Sequence, residues 1–159
     1  MITVKLITVG NLKEGYLREA EAEYAKRLGA FCQFESVQLK EARLPDKPSE
    51  SDIENALSSE AKAILGELSP RSYKIAMCVE GGQKTSEELA SLIEKATSEH
   101  SEICFVIGSS HGLHESVKNA CDMRFSVSKL TFPHQLMRVI LLEAVYRGFN
   151  IIKGTKYHK

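Results

Sequence analysis

Ile103-Cys-Phe-Val-Ile107 runs straight into Gly108-Ser-Ser-His-Gly112, and Phe125-Ser-Val127 leads through Ser128-Lys-Leu-Thr-Phe-Pro-His-Gln135 into an apolar run from Leu136 to Phe149. A short apolar run closed by glycine and polar residues reads as a buried strand whose carboxyl end empties into a turn. In parallel α/β sheets, ligands sit at these carboxyl ends, where backbone groups in the turns are free to bind them. The chain then closes on Lys156-Tyr-His-Lys159. Two strand-end turns and a cationic tail point to a small-molecule pocket facing an anionic partner.

Working outward, strand and helix patterns alternate. Ile2–Val9 is β-branched and ends at Gly10, so it predicts a first strand. Residues 14–28 carry Leu17, Ala20, Tyr24 and Leu28 at helical spacing, with Gly29 as the stop. Phe31–Leu39 alternates like a second strand, and Pro45 and Pro48 mark a mobile loop over residues 40–50. Ser51 or Asp52 caps a helix running to Leu68, with Ile53, Ala56, Leu57, Ala61, Ile64 and Leu65 on one face. Tyr73–Val79 reads as a third strand followed by a Gly81-Gly82 turn. Thr85 or Ser86 with Glu88 forms a capping box for the next helix. Ile103–Ile107 is the fourth strand, Leu113–Cys121 a short helix, Phe125–Val127 a short fifth strand, and Thr131-Phe-Pro-His opens the last helix. Alternation of this kind implies an α/β fold, a mostly parallel sheet with helices on both faces. Residues 1–159 read as a single domain without internal repeats.

Composition narrows the class. No apolar run reaches membrane-spanning length. Met1-Ile-Thr-Val-Lys-Leu lacks the features of a secretory signal, so no membrane contact and a cytoplasmic location are expected. Cys32, Cys78, Cys104 and Cys121 form no CxxC pair, which argues against a zinc site or a disulfide framework. Net charge is zero, which argues against indiscriminate nucleic-acid binding, but it is unevenly spread. Residues 129–159 hold six Lys/Arg and one acid, for +5, and the first 128 residues carry −5. This end offers a footprint for phosphates; alternatively Arg147 only pairs with Glu143 one helical turn away.

Candidate site residues follow from the turns. The Gly108–Gly112 turn lets backbone approach a ligand closely, although neither GxxxxGK[ST] nor GxGxxG is present. Ser126 to Thr131 offers hydroxyls and backbone groups suited to an adenine or ribose edge, or to plain capping. His111 and His114, with Asp122 and His134 further on, could in principle ligate a metal, but the spacing fits a turn better than one helical face. Arg138 interrupts an apolar helix face, so its guanidinium must reach a partner or an anionic ligand. In the tail, Tyr157 suits stacking on a base, His158 suits proton transfer and the lysines suit phosphates; a frayed terminus is the alternative.

Val9-Gly10, Glu23-Tyr24-Ala-Lys26-Arg27-Leu28, Val106-Ile-Gly108, Gly112-Leu113, Ser128-Lys-Leu-Thr-Phe-Pro-His-Gln135, Glu143, Val145-Tyr-Arg147 and Tyr157-His158-Lys159 carry a resemblance along the whole chain. The sequence resembles the RlmH (YbeA-type) family, bacterial rRNA methyltransferases of the SPOUT, or trefoil-knotted, superfamily. The resemblance implies a C-terminal trefoil knot and a homodimer. It also implies S-adenosylmethionine as methyl donor, with no metal, and methylation of N3 of a pseudouridine in 23S rRNA on assembled ribosomes. Carried over by motif, Cys78, Gly108, Ser126, Val127, Ser128, Lys129, Leu130 and Thr131 would bind the donor. His158, Tyr157 and Arg138 would be catalytic, with His158 as proton relay, and Arg147, Lys153, Lys156 and Lys159 would face RNA, in part from the partner subunit. The chain departs from the family pattern at Ser109, usually glycine, and at Cys78-Val-Glu-Gly-Gly-Gln83, usually Leu, an acid and then Gly-Lys. Two rival readings stay open: a non-catalytic ribosome-binding module, and a metal-dependent hydrolase built on His111 and His114.

Overall fold

The computed structural model describes residues 1–159. Five parallel strands form one sheet in the order β2-β1-β4-β3-β5. They are β1 (Thr3–Val9), β2 (Gln33–Leu39), β3 (Ser72–Gly82), β4 (Glu102–Ile107) and β5 (Met123–Phe125). Between and after them run α1 (Gly15–Leu28), α2 (Glu50–Glu67), α3 (Ser86–Glu99), α4 (Glu115–Ala120) and α5 (His134–Lys153). No helix is long and apolar enough to cross a membrane.

The layering follows from the pleat. Along β4 every residue is buried, as a central parallel strand requires. Ile103, Phe105 and Ile107 point to one face and pack with α1, α3 and α5 through Leu28, Leu89, Ile93, Leu141 and Val145. Cys104 and Val106 point to the other and meet Ala61 and Ile64 of α2 and Val117 of α4. Helices thus cover both faces, as the alternation requires.

Element edges differ from the periodicity in instructive ways. Ser49, not Ser51 or Asp52, caps α2: its hydroxyl accepts from the Asp52 N–H at 3.1 Å and the Asp52 carboxylate accepts from the Ser49 N–H at 2.9 Å. The buried stripe of α2 is Ala56, Glu60, Ala61 and Ile64, and Leu65 is exposed. β3 continues through Gly81 and Gly82, where a turn was expected. A Cβ on Gly81 would lie 2.5 Å from backbone atoms of Phe125, so only glycine lets the two chain segments cross so closely. β5 ends at Phe125 rather than Val127, because the Ser126 N–H turns to the Gly82 carbonyl at 3.0 Å and its hydroxyl to the Ser128 carbonyl. α5 starts right after Pro133 and runs past the apolar run that ends at Phe149, on to Lys153. Gly154, at φ 71°, stops it in the left-handed conformation.

The Thr85 cap of α3 gives a first expected result. Its hydroxyl accepts from the Glu88 N–H at 3.1 Å, and the Glu88 carboxylate accepts from the Thr85 N–H at 2.9 Å. Thr85→Ala removes the first bond and should cost about 1 kcal/mol. Urea unfolding should show a lower midpoint with an unchanged slope.

Candidate functional site

The carboxyl ends of β3, β4 and β5 open onto one cleft of about 640 Å³, a size ordinary for a small-molecule site. Its walls come from Met77–Glu80, from Ile107–Leu113, from Phe125–Ser128 and from Leu130–His134, with Lys118 and Met137 at the edges. Of the residues expected to bind the donor, Cys78, Gly108, Ser126 and Val127 line it, as do Ser128, Leu130 and Thr131. Lys129 does not line the cleft: its side chain is exposed at the tip of the loop, beside the equally exposed Leu130.

The turn after β4 is held tight by backbone. The Gly112 N–H donates to the Ser109 carbonyl at 2.9 Å, and a Cβ on Gly108 would lie 2.2 Å from the Gly112 oxygen. In the Ser126–Thr131 loop, the Leu130 N–H is taken by the Ser128 hydroxyl at 3.0 Å, and the amides of Val127, Ser128 and Lys129 have no backbone partner. The free donors of Val127 and Ser128, beside an apolar wall of Met77, Ile107, Leu113 and Phe125, fit a ligand with both a polar edge and apolar surface. Burial, with Glu80 nearby, pushes the Cys78 thiol up, so it stays neutral at pH 7. Glu80 is ion-paired with Lys118, which holds its carboxyl below the usual range. Burial pulls His134 below its ordinary value and keeps it a neutral imidazole at the cleft wall.

Arg138 lies away from the cleft of its own chain. It is fully buried, and its Nη2 donates to the carbonyls of Val9 at 3.2 Å and Gly10 at 2.6 Å, at the end of β1. Its charge is balanced at a distance by Glu21, whose carboxyl burial pushes up. Arg138 touches no wall of its own chain's cleft; its Nη2 ties α5 to the end of β1, and its Nε and Nη1 have no partner within the chain. His111 and His114 also part ways: His111 lines the cleft, whereas His114 caps α4 and bonds Glu54 at 2.7 Å and Ser116 at 2.7 Å. No group of three His, Cys, Asp or Glu is arranged to hold a metal.

The tail is folded back rather than frayed. The Tyr157 hydroxyl donates to Glu143 Oε2 at 2.6 Å, and Arg147 donates to Glu143 Oε1 at 2.7 Å, the pairing its i,i+4 spacing foretold. The Arg147 guanidinium also lies 4.7 Å from the Tyr157 ring centre, and Tyr157 packs edge-on against Tyr146. His158 sits between Arg147 Nη1, 3.2 Å from its Nδ1, and Glu87 Oε1, 2.7 Å from its Nε2. A guanidinium can only donate, so Nδ1 accepts and Nε2 carries the hydrogen that Glu87 receives. Lys153, Lys156 and Lys159 are exposed around this cluster. No residue of the tail lines the cleft of its own chain. Arg147 lies thirteen residues beyond His134 along α5, about 20 Å of helix.

The bond to Glu143, followed by burial, pushes the Tyr157 phenol up to about 12. A raised phenol favours folding below the ordinary tyrosine range of about 10, and that contribution fades as pH climbs toward the folded value. Ultraviolet titration of the chain against Tyr157→Phe should show one phenol ionising only near that upper limit. Glu143→Gln should bring it back toward the usual value.

Comparison with known proteins gives the same picture. A family model described as "Predicted SPOUT methyltransferase" matches residues 2–158. The ribosomal RNA large subunit methyltransferase H of Bacillus pumilus is 45% identical over 159 residues, spanning 99% of this chain and 100% of that protein. Its namesake from Streptococcus thermophilus is 48% identical over 157 residues, spanning 98% and 99%. Among solved structures, a probable methylase family protein from Haemophilus influenzae Rd KW20 superposes with a TM-score of 0.54 at 16% identity, covering 99% of this chain and 70% of that chain, a likeness of fold.

Proposed function

This chain belongs to the SPOUT methyltransferase family, and from that premise we propose that it transfers a methyl group from S-adenosylmethionine to ribosomal RNA of the large subunit. The observation that carries the reading is the cleft at the ends of β3, β4 and β5, with its tight Gly108 turn and the free amides of Val127 and Ser128. The finer reading is N3 of a pseudouridine in 23S rRNA on assembled ribosomes, in the cytoplasm, by a homodimer in which residues 1–159 act as one domain. A C-terminal trefoil knot goes with the family, and the close passage of Phe125 over Gly81 supports threading at that point.

When bound, S-adenosylmethionine supplies an electrophilic methyl on a sulfonium. The protein's part is alignment, exclusion of water and proton removal. The free amides of Val127 and Ser128 meet the polar edge of the donor, and Met77, Ile107 and Phe125 cover its apolar surface. The tail meets the RNA. Because its polar groups gather away from their own cleft, we assign them to the cleft of the partner subunit. There Arg147 turns to a phosphate or imide oxygen, His158 Nδ1 accepts the N3 proton, and the Nε2–H bond to Glu87 stabilises the imidazolium. Lys153, Lys156 and Lys159 hold phosphates.

Calorimetry with S-adenosylmethionine, followed by methylation of large subunits lacking the modification and mapping of the labelled nucleotide, tests this. Micromolar donor binding and label on one pseudouridine are expected. No donor binding, with ribosome association kept, would leave the non-catalytic ribosome-binding module, its donor site lost through Ser109 and Cys78, as the better reading. His158→Ala should cut the single-turnover rate by about 10²-fold or more with donor affinity kept; an unchanged rate removes the histidine as relay.

A further inference from the structure

We infer that Glu60 is a positioning residue for the Gly108 turn, holding it through Ser109 and tying it to the segment after β2 through Ala42. The inference rests on the donor reading of the cleft given above. Glu60 sits on α2 between Ala56 and Ile64, on the stripe that faces the sheet, and is 6% exposed. Its Oε1 accepts the Ser109 hydroxyl at 2.9 Å and its Oε2 accepts the Ala42 N–H at 3.0 Å. No lysine or arginine pairs with it. A buried carboxylate without a counter-ion is costly to keep unless hydrogen bonds satisfy it, and here each oxygen has one.

What it grips matters more than the cost. Ser109, itself 5% exposed, directly follows Gly108, and its carbonyl receives the Gly112 N–H that closes the turn. Glu60 therefore braces the turn from behind while Gly108 and Gly112 face the cleft. The second arm reaches the segment where Glu41 lies against Gly10; a Cβ there would come within 3.2 Å of the Glu41 carboxylate. One carboxylate thus joins α2, the turn after β4 and the connection after β2. Such a brace sets how the turn's backbone is presented to a ligand without touching it.

Three variants test this: Glu60→Leu, which removes both bonds, Ser109→Ala, which removes one, and Glu60→Gln. The glutamine amide can accept from the Ala42 N–H and donate to the Ser109 oxygen, so both bonds survive. Losing a charge-assisted bond should weaken S-adenosylmethionine binding about tenfold in Ser109→Ala and at least as much in Glu60→Leu. In Glu60→Leu, whose side chain lines no wall of the cleft, turnover at saturating donor should stay within about twofold of wild type. Amide exchange across residues 110–112 should speed up, and Glu60→Gln should restore both affinity and protection. If Glu60→Leu fails to fold, Ser109→Ala against wild type decides. Wild-type affinity and unchanged exchange in Ser109→Ala, with only a lower melting midpoint, overturn the inference. If wild type does not bind the donor at all, the donor reading falls, and exchange across the turn alone settles Glu60: faster in Ser109→Ala supports the brace, unchanged rejects it.

Discussion

Gly108→Ala should abolish donor binding while leaving most of the fold standing. The added methyl would lie 2.2 Å from the Gly112 oxygen, 2.6 Å from the Gly112 carbonyl carbon and 3.0 Å from Leu113 Cδ2. Two of these neighbours are backbone, so no side chain can swing aside to make room. The turn must open, breaking the Ser109–Gly112 bond and moving the amides that face the cleft. Overpacking of this kind costs about 1–3 kcal/mol of stability, within the margin of an ordinary domain. The loss in binding should be larger, a hundredfold or more, about 3 kcal/mol, because the turn that must open is itself a wall of the cleft. Calorimetry with S-adenosylmethionine against urea unfolding of the same variant separates the two costs. An affinity within threefold of wild type would mean that the donor does not use this turn. Gly112 is the contrasting position: a Cβ there meets nothing within 4 Å, but at φ 86° any side chain carries backbone strain.

The contrast between these two glycines shows which physics a sequence exposes. Strands and helices follow from side-chain period, so β1, β4, α1 and α3 fall within a residue or two of where their patterns put them. Close approach between distant segments leaves no period. Gly81 and Gly82 look like a turn, and only the passage of Phe125 across them explains why β3 continues. Ile151-Ile-Lys153 is likewise helix because Gly154 stops it, a fact visible in the backbone angle and not in the apolar pattern.

The cleft was legible because strand-end turns declare themselves by composition. The partners of buried charges were not. Arg138 advertised that its charge needed an answer, but nothing in the local sequence says that the answer is two carbonyls at the end of β1, 128 and 129 residues away. Glu60 and Glu21 left a subtler trace. Each stands at helical spacing on an otherwise apolar face, Glu60 between Ala56 and Ile64, Glu21 between Leu17 and Leu28. An acid on a buried stripe is the signal that would have found both. The tail was readable as chemistry but not as geometry: Tyr, His and Arg are there, and Glu143 and Glu87 are what fold them together.

Mixing two inactive variants should restore activity if the tail serves its neighbour. Gly108→Ala spoils the cleft and keeps the tail; His158→Ala keeps the cleft and spoils the relay. In a dimer with one subunit of each kind, the intact cleft meets the intact tail when the tail crosses over, and the other site carries both defects. Random pairing of equal amounts makes half the dimers mixed, each with one good site of two, so about a quarter of wild-type activity should return. If each tail serves its own chain, every site in the mixture carries at least one lesion and activity stays at the level of the separate variants. The proposed crossed arrangement is supported by placement: the tail is anchored by Glu143 and Glu87, no tail residue lines its own cleft, and methyl transfer requires the reacting atoms within about 3.5 Å. Anchoring also makes the crossing affordable in entropy. Tyr157 and His158 are already ordered on α5 and α3 before a nucleotide arrives, so little is lost when the partner's cleft receives it.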